Sequence, residues 1–187
     1  MAQFQPERVA SYIDMMDGDN IPKLLEICQK YSLAEASSLL LERQGDVPAA
    51  YDLLLKNLQD HIRQLFQVPD TQCDGSKNWT LFHSASQSVI NLCQRQSISM
   101  VEEDRERIWL TLLDALLQPQ RSVRENQPSN IDSILTVLRE ETQRVVTSVQ
   151  GQVSLTKILP RLLQDPKTTG SMLGDLRQLI MGKISQA

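Results

Sequence analysis

Residues 33–55 read LAEASSLLLERQGDVPAAYDLLL (Leu33–Leu55) and contain a helix, a corner and the start of a second helix. Ala36, Leu39 and Leu40, together with Leu33, recur at three- and four-residue spacing and mark the apolar face of a helix Leu33–Gln44, which Ser32 is placed to cap. Gly45 can take the left-handed conformation that ends a helix, and Asp46 can accept from the free N–H groups that open the next. The following helix runs from Val47 to about Phe66, with Ala50, Leu54, Leu58, Ile62 and Leu65 on one side. The corner is two residues long, and both arms are helical.

The same period extends outward in both directions. Upstream, Pro6-Glu7 opens a short helix through Met16 on Val9, Tyr12, Ile13 and Met16. Asp17–Asn20 breaks it, and Asn20 is placed to cap a helix to Tyr31, with Pro22 in its first turn and Leu24, Leu25, Ile27 and Cys28 as apolar positions. Downstream, residues 67–77 form a loop by composition. A fifth helix spans Asn78 to about Gln96. A sixth starts after Ser99, with Glu102, Glu103 and Asp104 set against the N-terminal dipole, and ends near Gln118. Its core-facing positions are Ile108, Leu112, Leu113, Leu116 and Leu117. Residues 119–130 form a second loop, and Ser129 or Asn130 caps a seventh helix through about Val149, ended by Gly151. An eighth covers Ser154–Gln164 around Pro160 and stops at Asp165-Pro166; a ninth runs from about Thr169 to Ile184.

Composition agrees with helices. Of 187 residues, 41% are hydrophobic and 22% charged, an ordinary globular balance, but only 4% are aromatic while 27 are Leu. Large sandwiches and barrels lean on aromatic and β-branched residues, and the aromatics are scarce. The net charge of −4 leaves no basic footprint for nucleic acid. Residues 1–66 carry 6 Lys and Arg against 10 Asp and Glu, and residues 126–187 carry 7 against 5, a drift too mild to name a partner. Cys28, Cys73 and Cys93 have no CxxC spacing, so neither a disulfide framework nor a zinc cluster is expected. The polar opening Ala2–Arg8 predicts no signal peptide, and no apolar run approaches the roughly 20 residues of a membrane span. A soluble intracellular chain is expected.

Candidate chemistry is sparse. Cys28 and Cys93 sit late in their helices among apolar neighbours, away from the helix end that would lower a thiol pKa, and read as buried packing thiols. Cys73, in the loop, reads as an exposed oxidisable thiol. His61 and His83 lie on different helices without a local Cys or carboxylate-pair companion, which predicts surface or groove histidines. No GxGxxG, GxxxxGK[ST], GxSxG or HExxH occurs. Asn78-Trp79-Thr80 fits a glycosylation sequon, idle inside a cell. Trp79 and Trp109 read as core anchors. The run Glu102–Arg107 reads as a solvated first turn with local pairs such as Glu103–Arg107 in preference to a docking strip. Arg121 and Arg124 are too few for membrane attraction. No catalytic, cofactor or metal residue is assigned.

Helices of about a dozen residues are marginal alone, so each must be held by its neighbours. The expectation is an all-α chain of helical hairpins, nine helices in one segment (1–66, loop 67–77, hairpin 78–118, loop 119–130, C-terminal helices 131–187), stacked as a short α-solenoid. An internal echo, Leu25–Lys30 (LEICQK) against Ile90–Arg95 (INLCQR), favours stacking, although it does not continue downstream.

Cys28–Ala36, Leu39–Val47 and Ala49–Leu55 together resemble the clathrin-heavy-chain-type helical repeat, shared by clathrin and the core subunits of endolysosomal tethering complexes. A longer pattern is more specific: Phe4–Val9, Leu92–Arg95, Trp109 with Leu112–Ala115, and Leu163–Pro166 with Gly174, Leu179 and Ile180. It resembles, along essentially the whole chain, the C-terminal solenoid of the tethering-subunit family specific to the CORVET complex. Family members also carry an N-terminal β-propeller and a RING-type zinc module, neither of which has a pattern here, so the resemblance implies a fragment. It further implies endosomal vesicle tethering in protein transport as an effector of an early-endosomal Rab GTPase. The implied partners are sister subunits and that Rab, with no nucleic acid, no cofactor, and contact with early endosomal membranes only peripherally, through partners. No Rab-binding residue carries over by motif, and departures concentrate in the two loops. The alternative is a free-standing clathrin-like adaptor in coat or cargo handling. An enzyme would require carboxylates converging in a pocket.

Overall fold

The structure, a computed structural model, describes residues 20–67, 75–122 and 131–163. They form seven helices: α1 (Ile21–Lys30), α2 (Ala34–Arg43), α3 (Val47–Gln67), α4 (Gly75–Ser97), α5 (Glu102–Ser122), α6 (Ile131–Ser148) and α7 (Leu155–Leu163). No strand occurs among the described residues. The expected first and ninth helices, Pro6–Met16 and Thr169–Ile184, lie outside them, as do Cys73, Arg124 and the capping residues Ser129 and Asn130.

The corner between α2 and α3 is built as its sequence requires. Gly45 has φ +83°, and the N–H groups of Gly45 and Asp46 donate to the Glu42 and Leu41 carbonyls at 3.0 and 2.9 Å. This paired closure occupies the carbonyls left free at a helix end. Asp46 Oδ1 then accepts from the Ala49 N–H at 3.1 Å and caps α3. The same closure ends α1, with a different residue. Ser32, expected to cap α2, stands at φ +54° and donates its N–H to Gln29 O at 3.1 Å, while Leu33 N–H reaches Cys28 O at 2.9 Å. Ser32 therefore terminates α1, and α2 begins without a side-chain cap. Asn20 occupies the N-cap position of α1 but makes no capping bond either.

Two boundaries move. α4 starts at Gly75, three residues before Asn78, which shortens the first expected loop from its C-terminal side. α5 continues through Pro119 to Ser122, past the expected stop at Gln118. A proline one turn from a helix end removes only one backbone bond. Side chains take up the carbonyls there: Gln120 Nε2 donates to Leu116 O at 2.9 Å, and Ser122 Oγ to Gln118 O at 3.0 Å.

Two apolar cores result. The larger draws Ala50, Leu54, Leu58, Ile62 and Leu65 from α3, Phe82, Val89 and Cys93 from α4, and Ile108, Trp109, Leu112, Leu113, Leu116 and Leu117 from α5; α6 adds Leu138 and Val145, and α7 adds Ile158 and Leu162. α3, α4, α5 and α6 make mutual contacts and α7 packs on α5, so this part is a helical bundle. The expected apolar positions of α3 and α5 are all buried. The smaller core is Cys28, Ala36 and Leu40, flanked by Ile21, Leu24, Leu25, Leu33 and Leu39. Among the described residues it is drawn from α1, α2 and the turn between them. Ile27, expected on the inner face of α1, is 51% exposed.

Candidate interaction surface

A groove of about 670 Å³ lies between α2 on one wall and α3 and α4 on the other. Leu33, Leu39, Leu54, Leu81 and Ala85 give it an apolar lining, and His61 stands in it from α3. This is the groove-histidine placement that the sequence predicted. Side chains join α2 to α4 across the groove, since the two backbones scarcely approach. Glu35 Oε1 accepts from Ser84 Oγ at 2.9 Å and Ser88 Oγ at 2.8 Å. Further along, Glu42 Oε1 accepts from Arg95 Nη2 at 2.6 Å, and Glu42 Oε2 from Arg95 Nε and Gln96 Nε2 at 3.3 Å. Leu81, 43% exposed, continues the apolar lining outward.

His83 is brought to a partner that no local spacing announces. Its Nδ1 contacts Glu141 Oε1, from 58 residues away on α6. Glu141 is 1% exposed, and its carboxylate also accepts from Ser86 Oγ at 2.9 Å and pairs with Arg144 Nη1 at 3.1 Å. A buried carboxylate is tolerable only when so satisfied. Ser86 and His83 bind the two different oxygens of one carboxylate. The serine–imidazole contact of an activated nucleophile is therefore not made, and the cluster reads as a brace between α4 and α6.

The charged run at the start of α5 divides. Glu102, Glu103, Asp104 and Arg107 face solvent, as expected, although Arg107 pairs with Asp104 at 2.9 Å and not with Glu103. Arg105 and Glu106 turn inward. Arg105 Nε donates to Gln152 O at 3.2 Å, and Lys157 Nζ of α7 donates to Glu106 Oε2. That lysine bond, helped by the Ser154 N–H and opposed by burial, holds the Glu106 carboxyl below its usual range. The same contact raises Lys157. Arg121, weighed as a membrane contact, instead donates to the Arg161 carbonyl.

Cys28 and Cys93 are buried, as expected. Burial raises both, and Cys93 is pushed up to about 12. Neither has the cationic surroundings of a reactive thiolate. Trp109 is fully buried with Nε1 donating to Ser97 Oγ at 2.9 Å, while Trp79 is half-buried against the larger core. Among the described residues, no three His, Cys, Asp or Glu side chains gather to hold a metal ion. The two buried carboxylates among the described residues, Glu106 and Glu141, sit on different helices, each with its own cation. No described helix is long and apolar enough to cross a membrane.

Vacuolar protein sorting-associated protein 8 homologs from mouse and human are each 30% identical to the chain, over 187 and 185 residues respectively. The chain is similar to one segment of these sorting proteins over 98% of its own length. It spans 13% of theirs. No protein-family model and no solved structure matches it. The resemblance read from Cys28–Leu55 and the more distant motifs is thus to vacuolar protein sorting-associated protein 8, and the helical structure accords with it.

Proposed function

We propose that this chain is a non-catalytic scaffold and protein-interaction segment of a CORVET-like endosomal tethering subunit. In this reading it belongs to the helical C-terminal region, forms one continuous segment of an α-solenoid, and serves a Rab effector in endolysosomal protein transport. The observation that carries the proposal is the 30% identity to vacuolar protein sorting-associated protein 8 homologs along 98% of the chain. The polar contacts support a mechanical role: the buried carboxylates are spent on holding helices together, as Glu141 does between α4 and α6 and Glu106 between α5 and α7. The groove between α2 and α4 supplies a concave surface with an apolar lining and a polar rim, the form in which partner helices are commonly received. Sister subunits are its expected partners, and the chain meets early endosomal membranes through them.

The test is an affinity pull-down from cytosol with the folded chain, with and without a GTP-locked early-endosomal Rab, read by mass spectrometry. Recovery of tethering subunits is the expected result. Recovery of clathrin-coat components in their place overturns the tethering assignment. Recovery of nothing overturns the interaction role and leaves the segment a rigid spacer.

A further inference from the structure

We propose that α1 and α2 form a strap that opens as a unit while α3–α7 stays folded, and that Glu35 and Glu42 are its latches. The inference rests on how the two regions are joined, independently of the tethering assignment.

The apolar cores do not merge: Cys28, Ala36 and Leu40 form one cluster, and the bundle forms the other. α2 packs closely along α3 and lends Leu41 to the larger core, while its Ser37 and Ser38 are buried without adding large apolar side chains. Across the opposite side, α2 is joined to α4 by two carboxylates. Glu35 takes hydroxyl donors from Ser84 and Ser88, and Glu42 takes the Arg95 guanidinium and the Gln96 amide. Hydrophobic burial rewards a region for staying closed in proportion to area, whereas partly exposed ion pairs and hydroxyl bonds contribute less each. The α4 side of the joint is therefore polar, and α2 is held to the bundle otherwise by its packing along α3. Once α2 leaves both α4 and α3, the strap cannot persist as structure, because two helices of 10 residues are too short to stand unsupported. Opening then removes the Leu33 and Leu39 wall of the groove and bares Leu81 and Ala85 on the other wall.

The molecule carries its own reporters, one thiol in each core: Cys28 at 7% exposure in the strap and Cys93 at 0% in the bundle. The experiment is alkylation of the whole chain with iodoacetamide, resolved thiol by thiol by mass spectrometry, comparing the native sequence with Glu35→Gln/Glu42→Gln. The expected result is a rise of roughly five- to tenfold in the Cys28 rate, with Cys93 unchanged. Equal acceleration of both thiols, or of neither, overturns the proposal. Hydrogen exchange on the unaltered chain tests it without any variant. Amides of 21–43 should share an opening that those of α3–α6 lack, and one common opening free energy for both would overturn it.

Discussion

LEICQK in α1 and INLCQR in α4 are nearly the same phrase in two different settings. In α4, Ile90, Leu92 and Cys93 are all at most 1% exposed, since the helix is covered by α3, α5 and α6. In α1 only Cys28 is buried, Leu25 is half-buried, and Ile27 is left 51% exposed, because among the described residues the packing partner of that helix is α2. Local sequence decides that a helix forms and where its apolar face lies. The number of neighbours decides how much of that face is used, and hence how firmly the helix is held. The difference divides the molecule into a bundle that carries the stability and a strap that borrows from it.

The sharpest way to break this division is at the bundle's centre. Trp109→Ala removes a fully buried indole and leaves the Ser97 hydroxyl without its donor. A loss of about 3–5 kcal/mol is expected in chemical denaturation. The strap should melt in the same transition, because it has no support of its own. A strap that kept its hydrogen-exchange protection in this variant would invert the dependence argued here.

Leu40→Ala tests the other side. Leu40 is 1% exposed, and its truncation should cost the strap about 2–3 kcal/mol. The loss should appear as faster exchange in 21–43 with little movement of the main unfolding transition. Equal displacement of both transitions would make strap and bundle one cooperative unit.

The larger features of this division are legible in the sequence. The 3.6-residue period places every expected core position of α3 and α5, because those helices are covered along one continuous face. The Gly45-Asp46 corner is legible because one residue must adopt positive φ and the next must cap, and few residue types do either. Ser32 misleads for the same physical reason. A serine before an apolar run looks like a cap, but the α1 ending needed a left-handed residue more than α2 needed an acceptor. Pro119 looks like a stop, yet it sits where a helix can lose one bond. The polar contacts are the illegible part. His83 and Glu141 are 58 residues apart, Glu106 and Lys157 51, and Glu35 and Ser88 53, so no local spacing announces them. They are set by the packing of helices whose own periodicity carries no record of which neighbour each will meet.

Alkaline pH separates the regions by a different route. Cys93 ionises only at about 12 in the folded chain, against an ordinary value of 9.0 once unfolded. Below pH 9 the thiol is protonated in both states and contributes no pH dependence. Above it the unfolded chain loses the proton first, so stability falls as pH rises, by up to about 1.4 kcal/mol per unit for that thiol. Tyr51, raised chiefly by burial and donating to Ile108 O at 2.7 Å, adds to the loss above its ordinary value of 10.0. Denaturation midpoints between pH 8 and 10 should show the decline, and Cys93→Ala should flatten it. A slope unaffected by that substitution would remove Cys93 as its source.

The smallest effect tests the joint itself. Asp46→Ala deletes the 3.1 Å bond to the Ala49 N–H that starts α3, an exposed cap with an expected cost of about 0.5–1 kcal/mol. Its location matters more than its size. The left-handed closure at Gly45 stays intact, so α2 still ends where it did, and what weakens is the first turn of α3 against which α2 is seated. If the strap is held chiefly through α4 by Glu35 and Glu42, Asp46→Ala should lower global stability slightly and leave the Cys28 alkylation rate within about twofold of the native chain. If the corner is the true hinge support, Cys28 should react several times faster while the unfolding midpoint scarcely moves. The ratio of those two responses locates the seam on the α3 side of the strap or on the α4 side.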